Sequence, residues 1–155
     1  MSASRFTLDT NVLVYAVDRS AGPRQAMAAE VIERAAVRDC RLTLQAVSEF
    51  HAAVTRKGIV PAREAAGLAA DWMELFPCAP ASPEAVRLAL DAAATGRAAY
   101  WDALLVASAA EAGCAVVLSE DLADGETLFG VRIVSPFGAE GVAAAAAALE
   151  VLGGG

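Results

Sequence analysis

Short apolar runs alternate along the chain with longer stretches that have helical periodicity. The apolar runs predict four strands, at residues 6–8, 42–44, 115–118 and 131–134. The other stretches predict helices at residues 12–17, 24–37, 45–57, 61–75, 83–95, 101–112 and 143–148. Residues 76–80 are predicted to be a short extended link, and residues 122–130 a loop or a short helix. Strands that are apolar throughout and separated by helices are typical of a mostly parallel sheet covered on both faces.

This pattern predicts an α/β fold with a central, mostly parallel sheet of four to five short strands and helices on both faces. A length of 155 residues fits one domain. We assign residues 1–137 to that domain and residues 138–155 to an alanine- and glycine-rich extension, expected to be one frayed helix. No apolar run is long enough to predict a membrane span, and no secretory signal is visible.

The cysteine and histidine content excludes several kinds of site. Cys40, Cys78 and Cys114 are far apart and lack the spacing of metal ligands. His51 is the only histidine, and nothing pairs it with an activated nucleophile. We therefore expect a cytoplasmic protein with reduced thiols and no membrane partner.

The net charge of −7, from 19 acidic and 12 basic residues, argues against tight nonspecific binding to nucleic acid. It does not exclude a nucleic-acid substrate, because bound divalent cations would neutralise part of the negative charge. Arg56, Lys57 and Arg97 are the basic residues that would contact substrate phosphates. Each of them also has a simpler explanation as an ordinary surface charge.

Four acidic residues are predicted to lie at one edge of the sheet. Asp9 follows the first strand, and Asp121 follows the strand at 115–118. Glu49 and Asp102 lie near the amino ends of helices that follow buried segments. Because strand carboxyl ends and the amino ends of the following helices meet at the same edge, the four side chains should converge where open α/β sheets bind ligands.

Taken alone, each acid has an ordinary structural explanation. Asp9 and Asp102 would cap helices, Glu49 would be a solvated helix residue, and Asp121 would be a turn residue. Convergence changes this interpretation, because clustered carboxylates repel one another unless cations hold them. Oxygen-only ligand sets suit Mg²⁺ or Mn²⁺. A metal-bound water and nearby carboxylates are the chemistry of phosphodiester hydrolysis.

The motifs that contain these acids resemble those of PIN-domain ribonucleases, in particular the VapC-type toxins of bacterial toxin–antitoxin pairs. The motifs are Leu8-Asp9-Thr10-Asn11-Val12-Leu13, Ser48-Glu49-Phe50, Tyr100-Trp101-Asp102-Ala103-Leu104-Leu105 and Ser119-Glu120-Asp121-Leu122. They occur in the family's order, and the resemblance covers about residues 6–137. It implies a PIN-like three-layer sandwich and an endoribonuclease that depends on Mg²⁺ or Mn²⁺.

The resemblance also implies roles for individual residues. Asp9, Glu49, Asp102 and Asp121 would be the catalytic, metal-binding acids. Supporting positions would be Asn11, Ser48 and Ser119, with Asp124 as an extra or substitute acid. The implied partners are an RNA substrate, a cognate antitoxin protein and a second copy of the chain in a homodimer. The acidic balance and the tail after residue 137 depart from a typical toxin.

Two alternatives stay open at this point. One is a PIN-type nuclease that acts in RNA processing or on DNA without a toxin role. The other is a non-enzymatic, receiver-like or nucleotide-binding α/β module in which Asp9 and Asp121 are turn residues. The second has little support in the sequence, because neither common glycine-rich phosphate loop is present.

Overall fold

The central sheet is built from four strands in a computed structural model that describes residues 5–137. These are β1 (Arg5–Leu8), β4 (Cys114–Leu118), β5 (Thr127–Leu128) and β6 (Val131–Val134). Their spatial order is β1-β4-β6-β5; β1, β4 and β6 are parallel, and β5 is antiparallel to β6. The predicted extension at 138–155, with its helix at 143–148, lies outside the described residues.

A smaller sheet lies beside β1. It pairs β2 (Leu42–Thr43) in parallel with β3 (Cys78–Ala79). An isolated bridge between Phe6 and Cys40 links the chain just before β2 to β1. The segment at 76–80, expected to be only an extended link, therefore contains a paired strand. Two-residue strands give too short a pattern to be predicted from sequence alternation.

Within residues 5–137, six α-helices cover the sheets. They are α1 (Thr10–Val17), α2 (Pro23–Ala35), α3 (Leu44–Arg56), α4 (Ala62–Leu75), α5 (Pro83–Ala94) and α6 (Tyr100–Glu111). Their ends follow local capping chemistry: the hydroxyls of Thr43 and Ser82 accept hydrogen bonds from the amides of Ala46 and Ala85. Leu44, expected to end a strand, therefore begins α3 instead.

Helices pack on both faces of the central sheet, as predicted. Successive side chains of β4 point to opposite faces. Val116 and Leu118 join a core cluster with residues of α1, α2 and α3. Val117 joins a different cluster with Leu105 and Val106 of α6. Because both faces are buried, the strand can be apolar throughout, which is the pattern that predicted this fold.

The segment at 122–130 contains a strand that the sequence did not predict. This strand, β5, forms a hairpin with β6, and the turn between them is Phe129 and Gly130. Both turn residues have positive φ, 52° and 77°, as in the tight turns that match strand twist. The turn was missed because this conformation usually takes Asn or Gly, not a bulky aromatic residue, at its first position.

The three cysteines are free: Cys40 and Cys114 are buried and Cys78 is half-buried. Within residues 5–137, no helix has both the length and the apolar character needed to span a membrane.

Candidate active site

Asp9 lies at the point where β1 ends and α1 begins. Its amide donates to the carbonyl of Leu118 at 2.9 Å, which continues the pairing of β1 with β4. One carboxylate oxygen, Oδ1, accepts from the amide of Thr10 at 2.7 Å. The other, Oδ2, accepts from the Ser119 hydroxyl at 2.6 Å and from Asn11 Nδ2 at 3.3 Å. Asp9 therefore caps α1 and, at the same time, is held by the loop after β4.

Asn11 and Ser119 connect α1 to the loop after β4. Asn11 Nδ2 also donates to Ser119 Oγ at 3.2 Å and to Asp121 Oδ2 at 3.3 Å, and its Oδ1 accepts from the amide of Glu120 at 3.2 Å. Ser119 Oγ accepts from the amides of Asp121 and Leu122. These two side chains, both expected to support the site, hold the loop in one position relative to Asp9.

Glu49 reaches the site from the second turn of α3. Its Oε2 accepts from the Thr10 hydroxyl at 3.1 Å, and its Oε1 accepts from Gln45 Nε2 at 2.8 Å. Gln45 Nε2 also donates to the carbonyl of Trp101 at 2.8 Å, which ties α3 to the start of α6. Thr10 and Gln45 were not singled out in the sequence. The position of Gln45 four residues before Glu49 on a helix was the available signal.

The four predicted acids line one open cavity of about 420 Å³. The cavity is lined by Asp9, Thr10, Asn11, Val14, Tyr15, Asp18, Glu49, Ala52, Ala53, Arg56, Lys57, Asp102 and Asp121. Asp102 lies in the first turn of α6, ahead of the buried residues of the same helix. Arg56 and Lys57, two of the three predicted phosphate contacts, are exposed at the end of α3, whereas the third, Arg97, does not line this cavity.

Two of the predicted supporting residues lie elsewhere. Ser48 is exposed, and its hydroxyl donates to the Leu44 carbonyl of its own helix at 2.9 Å. Asp124 accepts a hydrogen bond from the amide of Ser135 at 2.9 Å and thereby fixes the end of the β6 segment. Neither of them is among the residues that line the cavity. The supporting roles that the resemblance implies for Ser48 and Asp124 therefore stay predictions.

Burial and the neighbouring carboxylates make ionisation of Asp9 and Asp102 unfavourable without a cation. Burial raises the pKa of Asp9 from 3.8 to about 6. The hydrogen bonds from Ser119 and Thr10 oppose this increase, and the negative charges of Asp121 and Glu49 add to it. The pKa of Asp102 is also raised, first by burial and then by Asp121 and Glu49. A cation in the cavity would remove this cost.

The donor chemistry of the cavity fits a hard divalent cation, since it consists of carboxylate oxygens with a carboxamide and a hydroxyl nearby. The carboxylates do not form a closed set of ligands in this arrangement. Within residues 5–137, no three His, Cys, Asp or Glu side chains are grouped closely enough to hold a metal together. The oxygens of Asp9 and Glu49 accept hydrogen bonds from neighbouring protein donors in this arrangement.

Replacing Ser119 by alanine is expected to destabilise the protein. Ser119→Ala removes the donor to the buried Asp9 carboxylate and the acceptor for two loop amides. The expected loss in the free energy of unfolding is about 1–3 kcal/mol, measured by urea denaturation at neutral pH in EDTA. Ser48→Ala is the matched control and should change it by less than about 0.5 kcal/mol. Equal stabilities of the two variants would contradict the role given to Ser119.

Most of the chain matches the model of one protein family. Residues 6–123 match the family model of the PIN domain. No curated protein sequence matches the chain.

Three solved structures have similar folds. VapBC2 from Rickettsia felis, bound to a promoter DNA fragment, matches with a TM-score of 0.61 and 11% identity, over 84% of this chain and 98% of that one. DNA-bound VapBC from Salmonella typhimurium matches with a TM-score of 0.62 and 15% identity, over 85% of this chain and 98% of that one. Mycobacterium tuberculosis VapC20, a toxin that cleaves the sarcin–ricin loop, matches with a TM-score of 0.60 and 14% identity, over 75% of this chain and 91% of that one.

At these identities the structural likeness establishes the fold. The family model, by contrast, spans β1 to the loop after β4 and includes all four acids that line the cavity. The receiver-like alternative is thereby left without a basis. The chain belongs to the PIN domain family, with a fold like that of VapC.

Proposed function

We propose that the protein is an endoribonuclease that depends on Mg²⁺ or Mn²⁺ and is the toxin of a toxin–antitoxin pair. The observation that carries this proposal is the set of four carboxylates around one open cavity at the carboxyl ends of β1 and β4, in a chain of the PIN domain family. The cavity opens to solvent and combines the buried carboxylate of Asp9 with the exposed basic residues Arg56 and Lys57.

Asp9, Glu49, Asp102 and Asp121 would hold the cation. When bound, a divalent cation supplies hydroxide from water near neutral pH and stabilises charge on phosphate oxygens. The protein's own contribution is to position these acids. Asn11 and Ser119 orient the carboxylate of Asp9, and Gln45 orients that of Glu49.

Arg56 and Lys57 are proposed to bind substrate phosphates. Both line the cavity, and both lie at the carboxyl-terminal end of α3. No carboxylate within residues 5–137 forms an ion pair with either of them. Their charges are therefore available to a phosphate, although the protein as a whole is acidic.

RNA is the substrate favoured by the likeness to VapC20, which cleaves an RNA loop. The likeness to two VapBC complexes supports a cognate antitoxin as the partner. A homodimer in the cytoplasm completes the proposal. Light scattering of the purified protein, alone and with its antitoxin, measures the mass of both assemblies.

Cleavage of RNA is expected to require a divalent cation. The purified protein should cut single-stranded RNA or RNA loops in Mn²⁺ or Mg²⁺, stop in excess EDTA and recover when metal is restored, because the carboxylates repel without it. Sequencing the cleaved RNA ends, after expression with and without the neighbouring gene, identifies the target. Undiminished cleavage in EDTA contradicts the metal requirement. Cleavage without growth inhibition supports the RNA-processing alternative instead of a toxin.

A further inference from the structure

A second cavity, of about 350 Å³, opens beside the first and shares Asp102 and Asp121 with it. A third acid, the exposed Glu126, also lines it, and most of its other walls are small or apolar residues such as Ala98, Ala123 and Leu128. A volume near the lower end of the range for ligand sites, roughly 300–1,000 Å³, suits one nucleotide better than a protein segment. The two cavities are thus adjacent and share one pair of carboxylates.

Arg97 is the basic residue of this second cavity. Its guanidinium lies over the ring of Phe129, 5.6 Å from the ring centroid. Within the part of the chain from 5 to 137, the Arg97 side chain has no ion pair and no hydrogen bond to protein. The aromatic ring therefore holds the guanidinium in place while leaving its hydrogen-bond donors free for a ligand.

The backbone of Phe129 supports a functional reason for this contact. Among residues 5–137 it is the only residue other than glycine with positive φ, 52°. That conformation is costly for a bulky side chain, and such strain concentrates at functional sites. Packing of the Phe129 ring against two of the core clusters, with Leu128 in one and Tyr100 in the other, offsets part of this free-energy cost. The strained turn thus presents an aromatic surface to Arg97.

We propose that the second cavity binds the nucleotide next to the scissile phosphate of single-stranded RNA, with Arg97 contacting the flanking phosphate; this rests on the proposed function. With the scissile phosphate at Asp102 and Asp121, the strand would extend into one cavity on each side. Arg56 and Lys57 serve the first cavity, and Arg97 serves the second. Single-stranded nucleic acid is bound in this way, by cations along the backbone and pockets for bases.

The test uses the full chain with its four acids unchanged, so that the cation site is retained, and RNA with phosphorothioate linkages, which slow cleavage. The probe is a short, fluorescein-labelled single-stranded RNA of random sequence, and binding is measured by anisotropy in Mn²⁺ at several salt concentrations. Adding Arg97→Ala should weaken binding about tenfold. It should also reduce the slope of log K against log salt by about 0.7, the value for one phosphate contact to a single strand.

Two further variants distinguish the effect of the Arg97 charge from the effect of the cavity volume. Arg63→Ala removes an exposed arginine of α4 that lines neither cavity, and should change neither affinity nor salt slope. Ala123→Trp fills the second cavity without changing charge, and should weaken binding while leaving the salt slope unchanged. Light scattering of all variants gives their oligomeric mass.

The outcomes distinguish the subsite from the activity. If the parent binds RNA but Arg97→Ala behaves like Arg63→Ala, or Ala123→Trp binds as tightly as the parent, the subsite is wrong and the nuclease proposal stands. If Arg97→Ala changes oligomeric mass but not RNA affinity, the surface is a protein interface and the subsite is also wrong. A parent that binds no RNA overturns both proposals.

Discussion

Asp9→Asn and Asp102→Asn are each expected to lower kcat/KM for RNA cleavage in Mn²⁺ by at least about 100-fold, since a metal ligand supplies several kcal/mol of charge stabilisation. Asparagine keeps the shape of the side chain but removes the charge that binds the cation. Circular dichroism should show an unchanged fold. The measurement is a steady-state cleavage assay with labelled RNA.

A matched control is available on α4. Asp71 is an exposed carboxylate that lines neither cavity, so Asp71→Asn removes the same charge at a site without the proposed chemistry. It should cleave at the wild-type rate. If Asp9→Asn and Asp102→Asn also cleave at that rate with metal present, the carboxylate cluster is not the active site.

The stability of the metal-free protein is expected to fall as the pH rises from about 4 to about 7. The pKa of Asp9 is about 6 in the folded protein and 3.8 as its ordinary value, so folding favours the protonated form. Its stabilising contribution is complete below pH 3.8 and is lost as the pH passes through about 6. For this buried group the loss is about 3 kcal/mol. Asp102, with its raised pKa, contributes in the same direction.

Asp9→Asn should flatten this pH dependence, because asparagine does not titrate, whereas Asp71→Asn should follow the wild type. The measurement is Tm against pH in EDTA, with a loss in the wild type of roughly 5–10 °C. Adding millimolar Mn²⁺ at neutral pH should then raise Tm for the wild type and not for Asp9→Asn. Identical pH curves for these two proteins would contradict the raised pKa, and no shift with Mn²⁺ would contradict the cation site.

Much of the fold could be predicted from the sequence, because its signals are local and repeated. Strands buried on both faces read as continuous apolar runs, and helix starts carry their own caps, as at Ser82. Where the signal was short, prediction failed. β3 and β5 have two residues each, and their existence depends on partners distant in the chain.

The candidate site divides in the same way. Position at strand and helix ends is a property of the sequence pattern, and it was enough to select Asp9, Glu49, Asp102 and Asp121, which line one cavity. Which neutral residues hold them was only partly predictable. Asn11 and Ser119 were selected and do contact Asp9, whereas Ser48 hydrogen-bonds within its own helix and Gln45 was missed.

The sequence by itself determined the α/β class, the order of the six α-helices and the four longer-patterned strands within residues 5–137, and the edge at which the acids collect, since each follows from periodicity and parallel topology. Only the tertiary structure decided the hydrogen bonds around Asp9, the raised pKa of that carboxylate and the pairing of Arg97 with Phe129. The physical reason is distance along the chain. Burial, repulsion and hydrogen bonding join Asp9 to Ser119, and Arg97 to Phe129, across separations that no local pattern encodes.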